Sequence, residues 1–115
     1  MPKNMGFIHT VAQVVNRTQT VTRRRGWWSL KPGDILFAVV QVTGLEKGAR
    51  FNRICRIRIV STRREPLDAI TDEDVAREGC PDMDREVFIR RYRRIYKGPR
   101  NQEVNRIEFE YPDGG

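Results

Sequence analysis

The sequence predicts an α+β fold built on a small curved sheet or barrel with short flanking helices. Strand-like segments, in which apolar and polar residues alternate, outnumber helical ones. Gly- and Pro-containing turns separate these segments, and the clearest helical spacings come late in the chain. With 115 residues, the chain is long enough for one domain, residues 1–115, and too short for two.

In the first part of the chain we expect one short helix and one buried strand. Thr10 precedes Gln13 by three residues, the spacing of a capping box, which predicts a helix over residues 11–15. Residues 31–34 (KPGD) have the composition of a turn, because Pro presets one dihedral angle and Gly tolerates a positive φ. The apolar run that follows over residues 35–42 is typical of a central strand.

Residues 19–24 alternate in the manner of a strand that lies between this helix and this turn. One face carries Thr20, Thr22 and Arg24, and the other carries Gln19, Val21 and Arg23. We therefore expect Arg24 to point towards any ligand that the two Thr hydroxyls contact. Arg23 should point away and contribute only a screened, longer-range attraction.

The second half is predicted to contain two strands and two helices. After a Gly-containing loop over residues 43–48, residues 53–61 alternate as a strand whose arginines point outwards. A brief acidic helix begins after Thr71 and ends near Gly79, and a second helix begins near Asp84. The last strand alternates the apolar residues Ile107, Phe109 and Tyr111 with charged ones.

The charge of the chain predicts an anionic partner. The net charge is +7, and residues 1–60 contain eleven basic residues against two acidic ones, whereas the remainder is slightly acidic. Most of the basic residues are Arg, whose planar guanidinium binds phosphate in a bidentate manner. We therefore expect a basic face in the first half of the chain and nucleic acid as its partner.

Other classes of protein are disfavoured. The opening residues are too short an apolar run for a signal peptide, and no run has transmembrane length. Cys55 and Cys80 lie far apart and have no neighbours at metal-ligand spacing, so we expect reduced thiols in the cytoplasm, no metal and no cofactor. His9 stands alone, and we assign it no role.

The segment from Gln19 to Trp28 is the candidate binding site. It places three adjacent arginines and two indoles beside a turn, a combination that suits a phosphate and a stacked base. The candidate residues are Gln19, Thr20, Thr22, Arg23, Arg24, Arg25, Trp27 and Trp28. The alternative interpretation is that one Trp belongs to the core and the arginines are solvated.

A second group of arginines occupies residues 90–94 of the late helix. These residues are expected on its solvated face, where Glu86 stands one turn before Arg90 and would support it as an i,i+4 pair. The same group would widen the basic surface.

Three groups of residues resemble one known family. They are residues 20–24 (TVTRR) with the following KPGD turn, residues 64–79 with Glu78-Gly79 at their end, and residues 106–110 (RIEFE). In this combination the chain resembles the ASCH domains, a PUA-like family of small β-barrels associated with RNA. The resemblance is strongest to short bacterial and phage members, and it extends over nearly the whole chain.

This resemblance implies a pseudobarrel with a cleft along the Thr-rich strand. Some members bind nucleic acid, and some small relatives hydrolyse the acetyl amide of N4-acetylcytidine with a Lys, a Thr and a Glu. Here the Thr matches Thr22 and the Glu matches Glu78, but Gln19 occupies the position of the Lys. A Gln amide cannot act as a general base, whose contribution is typically about 10²- to 10⁴-fold, so at best a slow enzyme is expected.

Three functions follow from these observations. The first is a non-catalytic nucleic-acid-binding module with a basic cleft built on the Gln19–Trp28 segment; RNA is favoured as its ligand, and DNA remains the alternative. The second is an amidohydrolase for modified cytidines, with Thr22 as nucleophile and Glu78 assisting proton transfer. The third is a protein that binds another protein. Gln19 disfavours the second and does not separate the other two.

Overall fold

A curled, mixed β-sheet with short helices packed against it forms the fold. The computed structural model describes residues 3–41 and 52–113. Within them the strands are β1 (Lys3–Phe7), β2 (Val21–Arg24), β3 (Ile35–Val40), β4 (Asn52–Pro66) and β5 (Glu103–Glu110). The α-helices are α1 (Val11–Val15), α2 (Asp72–Arg77) and α3 (Arg85–Tyr96), and one 3₁₀ turn covers Leu67–Ala69.

The sheet has the strand order β1-β3-β4-β5-β2, with β1 parallel to β3 and every other neighbouring pair antiparallel. It forms half of a barrel. The predicted α+β class is therefore confirmed. The predicted loop over residues 43–48, together with the end of the run over residues 35–42, lies outside the described residues.

The long strand β4 holds the sheet together because it pairs with two neighbours in succession. Its first part pairs with β3 and its second part with β5, and the register shifts once in each pairing, between Ala38 and Val39 and between Ile59 and Ser61. Such irregularities bend a strand and increase its twist, which accounts for the curl. This strand continues to Pro66, five residues beyond the end predicted from the alternation.

Two apolar clusters form the core. The first lies between the sheet and α1 and contains Met5, Phe7, Val14, Leu36, Ala38, Ile57, Ile59, Ile107 and Phe109. The second joins α2 and α3 to the beginning of β5 and contains Leu67, Ile70, Val75, Ile89, Tyr92 and Val104. Burial of each large apolar side chain contributes about 1.5–3 kcal/mol, so the two clusters fix the helices on the sheet.

Capping residues define where the helices of the second half begin. The Thr71 hydroxyl accepts a hydrogen bond from the Asp74 amide, and the Asp84 carboxylate accepts one from the Val87 amide. Gly79 follows α2 with φ +89°, which an L side chain rarely adopts. Thr10 stands before α1 as predicted, but its side chain makes no capping hydrogen bond. None of the helices in residues 3–41 and 52–113 is long and apolar enough to cross a membrane.

Candidate functional site

A cleft of about 300 Å³ lies between β2, the end of α2 and one side of α3, and the residues after β1 form its remaining wall. Its polar lining includes Gln19, Thr22, Arg23, Arg24, Glu78 and Arg91. Its apolar and aromatic lining includes Phe7, Phe88, Tyr92, Ile95 and Tyr96. The cleft therefore combines cationic groups with ring faces.

The structure separates the predicted site residues into two sets. Gln19, Thr22, Arg23, Arg24 and Glu78 all line the cleft. Thr20, Arg25, Trp27 and Trp28 do not belong to its lining. The site is therefore built from β2 and the end of α2, and the loop after β2 lies outside it.

Each residue outside the cleft has contacts of its own. The backbone of Thr20 bonds to Arg77 and Phe109, so this residue ties β2 to the neighbouring elements. Trp27 packs against the first core cluster, as expected for one of the two indoles. Trp28 is 46% exposed, and the guanidinium of Arg64 lies 4.0 Å from its ring centroid.

Arg24 lies in the cleft without a carboxylate partner. Its Nε–H donates to the Thr22 hydroxyl over 3.0 Å, as expected for neighbours on one strand face. Its guanidinium carbon lies 4.8 Å from the centroid of the Phe7 ring. Burial lowers the pKa of Arg24, while Tyr96 and Glu78 act in the opposite direction. No carboxylate among the described residues forms an ion pair with Arg24, so both of its NH₂ groups remain available to a ligand.

Arg23 lies on the other face of β2, and its environment corrects the prediction of a peripheral, screened charge. Its side chain is completely buried and forms ion pairs with Glu65 at 2.7 Å, Asp74 at 2.8 Å and Glu78 at 3.2 Å. Burial acts to lower the pKa of Arg23, but the attraction of these carboxylates outweighs it and raises the pKa overall. Arg23 is thus a structural cation whose edge reaches the cleft.

Asp74 is the most strongly ionised member of this buried network. Its two carboxylate oxygens accept hydrogen bonds from Arg106 over 2.7 and 3.0 Å, and Arg77 adds a third cationic contact at 3.1 Å. The hydrogen bonds from Arg106 are the largest cause of a pKa far below the ordinary value, and those from Arg23 and Arg77 add to it against the effect of burial. Asp74 therefore remains charged at any ordinary pH.

The pKa of Glu78 is shifted in the opposite direction from that of Asp74, although Glu78 also pairs with Arg23. It caps the C-terminal end of α2, is only 6% exposed, and accepts one hydrogen bond from Arg23 over 3.2 Å. Burial raises the pKa of Glu78 to about 7, and the attraction of Arg23 offsets only part of this effect. The carboxyl group that lines the cleft therefore changes its protonation near neutral pH.

Gln19 is buried just before β2, which begins at Val21 and not at the predicted Gln19, and it is bonded to that strand. Its Nε2 donates to the carbonyl of Val21 over 2.9 Å, while its Oε1 has no partner among the described residues. The Tyr111 hydroxyl donates to the Gln19 carbonyl over 2.5 Å, which fixes the backbone here. The cleft therefore presents a hydroxyl, Thr22, for which the described residues supply no hydrogen-bonded base.

Sequence reasoning missed the aromatic wall. Tyr92 and Tyr96 lie one helical turn apart on α3 with ring centroids 4.6 Å apart, and both line the cleft. Tyr92 is buried, and the side of α3 on which it lies also faces the cleft. His9, to which no role was assigned, lies in the lining as well. The interleaving of Arg and Tyr over residues 90–96 was the signal available in the sequence.

The ion pairs correct the predicted location of the basic face. Four of the five arginines of β4 are paired with acids of the second half: Arg56 with Asp113, Arg58 with Glu110, Arg63 with Glu65 and Arg64 with Glu103. No described carboxylate forms an ion pair with Arg24, Arg25, Arg90, Arg91 or Arg94. Cations without an ion pair among the described residues therefore lie at the cleft and on α3 as well as at Arg53, while Arg23, Arg56 and Arg58 of the first half are neutralised.

The predicted pair between Glu86 and Arg90 does not form. Arg100 holds both oxygens of Glu86 at 3.0 Å, and Arg85 adds a contact at 2.7 Å. Glu86 thus forms its ion pairs with Arg85 at the beginning of α3 and with Arg100 in the segment before β5. Arg90 is left without an ion-pair partner among the described residues.

Comparison with known proteins shows the fold alone. No protein-family model matches the sequence, and no curated protein matches it. The crystal structure of hypothetical protein PH0355 is similar to this chain with a TM-score of 0.69, at 18% sequence identity, and covers 96% of this chain and 99% of that one. Within the described residues, no group of three or more His, Cys, Asp and Glu side chains is placed to hold a metal ion.

Proposed function

We propose that this protein binds single-stranded RNA and holds one nucleotide in the cleft. The observation that carries the proposal is the guanidinium of Arg24, which faces a cleft with aromatic walls and has no carboxylate partner among the described residues. A guanidinium in this situation offers two parallel donors to a phosphate or to the carbonyl edge of a base. The ring of Tyr96, which is 39% exposed, offers a face for stacking.

The charge around the cleft supports a polyanionic ligand. Arg91 lines the cleft. The guanidinium carbon of Arg25 lies 5.9 Å from the ring centroid of Tyr96, which also lines the cleft. Unpaired cations of this kind attract a phosphate backbone and release its condensed counterions when it binds. The net charge of +7 acts in the same direction.

The resemblance to the ASCH domains supports RNA as the nucleic acid. A curled, mixed half-barrel sheet is compatible with a PUA-like fold. Members of that family are associated with RNA, and the strand that carries the family-like Thr-x-Thr-Arg-Arg segment forms a wall of the cleft. The proposal therefore assigns this chain to the ASCH domains as an RNA-binding member.

Fluorescence anisotropy with a labelled single-stranded RNA of about ten nucleotides tests the proposal, since one such module contacts roughly 4–16 nucleotides. The Arg24→Gln variant should bind about 10- to 100-fold more weakly, because a charge-assisted hydrogen bond contributes roughly 1.5–3 kcal/mol. Affinity should also fall with salt by about 0.7 log units per phosphate contact for each tenfold rise in concentration.

Arg53→Gln is the matched control. The Arg53 guanidinium also lies over a Phe ring, 4.0 Å from the centroid of Phe37, and no described carboxylate forms an ion pair with it. This residue does not line the cleft. Both variants lose one positive charge. A similar loss of affinity in the two would show that the effect of Arg24→Gln comes from the lower net charge and not from a contact in the cleft. Absence of RNA binding by the unmodified protein would refute the proposal.

One observation favours a second function, hydrolysis of the acetyl amide of N4-acetylcytidine. Thr22 and Glu78, which match the family's Thr and Glu, line the same cleft. The Thr22 hydroxyl accepts a hydrogen bond from Arg24, and Glu78 is bonded to Arg23, so neither contact activates the hydroxyl for attack.

Incubation with N4-acetylcytidine and chromatographic detection of cytidine tests this second function. We expect little or no product from the unmodified protein and more from Gln19→Lys, because the substitution restores a group able to act as a base. Rapid turnover that is lost in Thr22→Ala would establish the enzyme, and it would show that Gln19 does not prevent catalysis.

A further inference from the structure

The exposed side of α3 carries arginines at helical spacing without ion-pair partners. Arg90 and Arg94 are one turn apart, Arg91 and Arg94 are three residues apart, and such positions lie about 5–6 Å from each other at Cβ. Like charges at these spacings destabilise a helix. The nearest acid in sequence, Glu86, attracts Arg90 only at longer range, because Arg100 and Arg85 hold its carboxylate.

Two other arginines of this region, Arg85 and Arg100, are neutralised within the fold, and Arg93 donates to the carbonyl of Gly98. Arg85 bonds to Glu86 and to the carbonyls of Asp68 and Ile70. Arg100 pairs with Glu86 and with Asp68. The acids near α3 therefore form ion pairs at its N-terminal end, and the arginines of its C-terminal half have no ion pair among the described residues.

The surface of α3 next to these arginines is apolar. Val87 and Ile95 are 39% and 37% exposed, and Ile95 lines the cleft. Arg91, which also lines the cleft, lies between Ile95 and Arg94 on the helix surface. A continuous path therefore runs from the cleft over Ile95 and Arg91 to Arg94 and Arg90.

We infer that this surface, the α3 track, binds the phosphates of the RNA segment that leaves the cleft. The inference rests on the proposed function and adds the route of the chain: one nucleotide lies in the cleft, the chain leaves over Ile95, and Arg91, Arg94 and Arg90 contact the phosphates that follow. A polyanion supplies the negative charges that this surface of the helix lacks.

The test compares two double variants that lose the same charge. Arg90→Gln/Arg94→Gln removes two cations of the α3 track and leaves the cleft lining intact. Arg56→Gln/Arg58→Gln removes two cations of β4 that are already paired with Asp113 and Glu110. The labelled RNA is titrated with the unmodified protein and both variants over a series of salt concentrations, and uridine monophosphate is titrated in parallel.

We expect the salt dependence of log K for RNA to become shallower by about 1.4 in the α3 variant, which corresponds to two lost phosphate contacts on a single strand. It should stay unchanged in the β4 variant. The melting temperature should rise or stay constant in the α3 variant, because repulsion is removed, whereas a structural role would lower it. Affinity for uridine monophosphate should be the same in all three proteins.

Other outcomes separate the two proposals. An equal change of slope in both variants, or none in the α3 variant, overturns the track and leaves the cleft proposal to the Arg24→Gln measurement. If the α3 variant loses RNA affinity while Arg24→Gln keeps it, the track stands and the cleft proposal fails. If the loss in the α3 variant also extends to uridine monophosphate, the arginines act on the cleft, and the track is refuted.

Discussion

The two faces of β2 give two adjacent arginines opposite environments. Arg23 points towards α2 and β4, where its guanidinium is enclosed by the carboxylates of Asp74, Glu78 and Glu65. Arg24 points towards Phe7 and the aromatic residues of α3, where no described carboxylate pairs with it. Arg23 thus stabilises the fold through its ion pairs, whereas Arg24, in the same strand, faces the cleft without one among the described residues.

This difference teaches how to separate structural from functional charge in a basic protein. A buried cation with several anionic partners is part of the folded state, and removal of any partner leaves a charge stranded in a medium of low polarity. A cation that faces a cleft without a partner gains its main interaction only when something binds. The two arginines should therefore respond in opposite ways to measurements of stability and of affinity.

The largest expected effect is on stability and concerns the Arg23 face. Asp74→Asn should lower the free energy of unfolding by about 3–5 kcal/mol, because it leaves the buried Arg23 and Arg106 short of negative charge. Urea unfolding followed by tryptophan fluorescence measures this change. Glu73→Gln is the control on the same helix: Glu73 pairs with Arg77 at the surface, and its loss should cost less than about 1 kcal/mol. Equal, small effects in the two variants would contradict the structural assignment.

The second effect is a pH dependence that originates in Glu78. In the unfolded chain its carboxyl loses its proton near pH 4.5, whereas in the folded protein its pKa is about 7. Between these values the folded state retains a proton that the unfolded state has released, so this group makes stability fall as pH rises, by up to about 1.4 kcal/mol per unit, and level off above pH 7.

Urea unfolding between pH 5 and pH 8 measures this dependence, and Glu78→Gln should flatten the curve because the amide does not titrate. The amide oxygen still accepts a hydrogen bond from Arg23, so the variant tests the charge rather than the contact. Asp74 does not contribute to the pH dependence in this range. Its pKa is lowered in the folded protein, so its stabilising effect is lost only when the pH falls to much more acidic values. A parent and a variant with parallel curves would show that Glu78 is ionised throughout.

The smallest effect is expected at Arg24. Arg24→Gln loses a hydrogen bond to Thr22, but it also removes a largely buried charge that has no ion-pair partner, so the free energy of unfolding should change by less than about 1 kcal/mol. The same urea titration measures it. A destabilisation comparable to that of Asp74→Asn would place Arg24 among the structural cations and abolish the distinction between the two faces of β2.

The alternation of residues 19–24 was sufficient to predict the two faces of β2, and the hydrogen bond between Arg24 and Thr22 agrees with it. It could not predict what each face meets. Glu65, Asp74 and Glu78 lie more than forty positions further along the chain and reach Arg23 only when α2 packs beside the sheet. An arginine run looks the same in a sequence whether tertiary structure neutralises it or leaves it free.

The fold shows a similar division. Period-two alternation predicted most strands and the α+β class, because half-buried strands require it. The parallel pairing of β1 with β3 had no local signal, since the run from Met5 to Ile8 is too short to indicate a partner. On α3 the apolar spacing predicted the helix, but one side of it serves both the core, through Ile89, and the cleft, through Tyr96.

The cleft takes its walls from nearly the whole chain, from Phe7 near one end to Tyr96 on α3. It therefore exists only when β1, β2 and both later helices are assembled, and the unfolded chain has no counterpart of it. Any ligand of the cleft is thereby linked to folding as a whole, and at a concentration one hundred times its dissociation constant it stabilises the protein by about 2.7 kcal/mol. A ligand of the cleft should consequently raise the melting temperature of this protein. Nucleotides and oligonucleotides can therefore be ranked as ligands by the melting temperature measured in the presence of each.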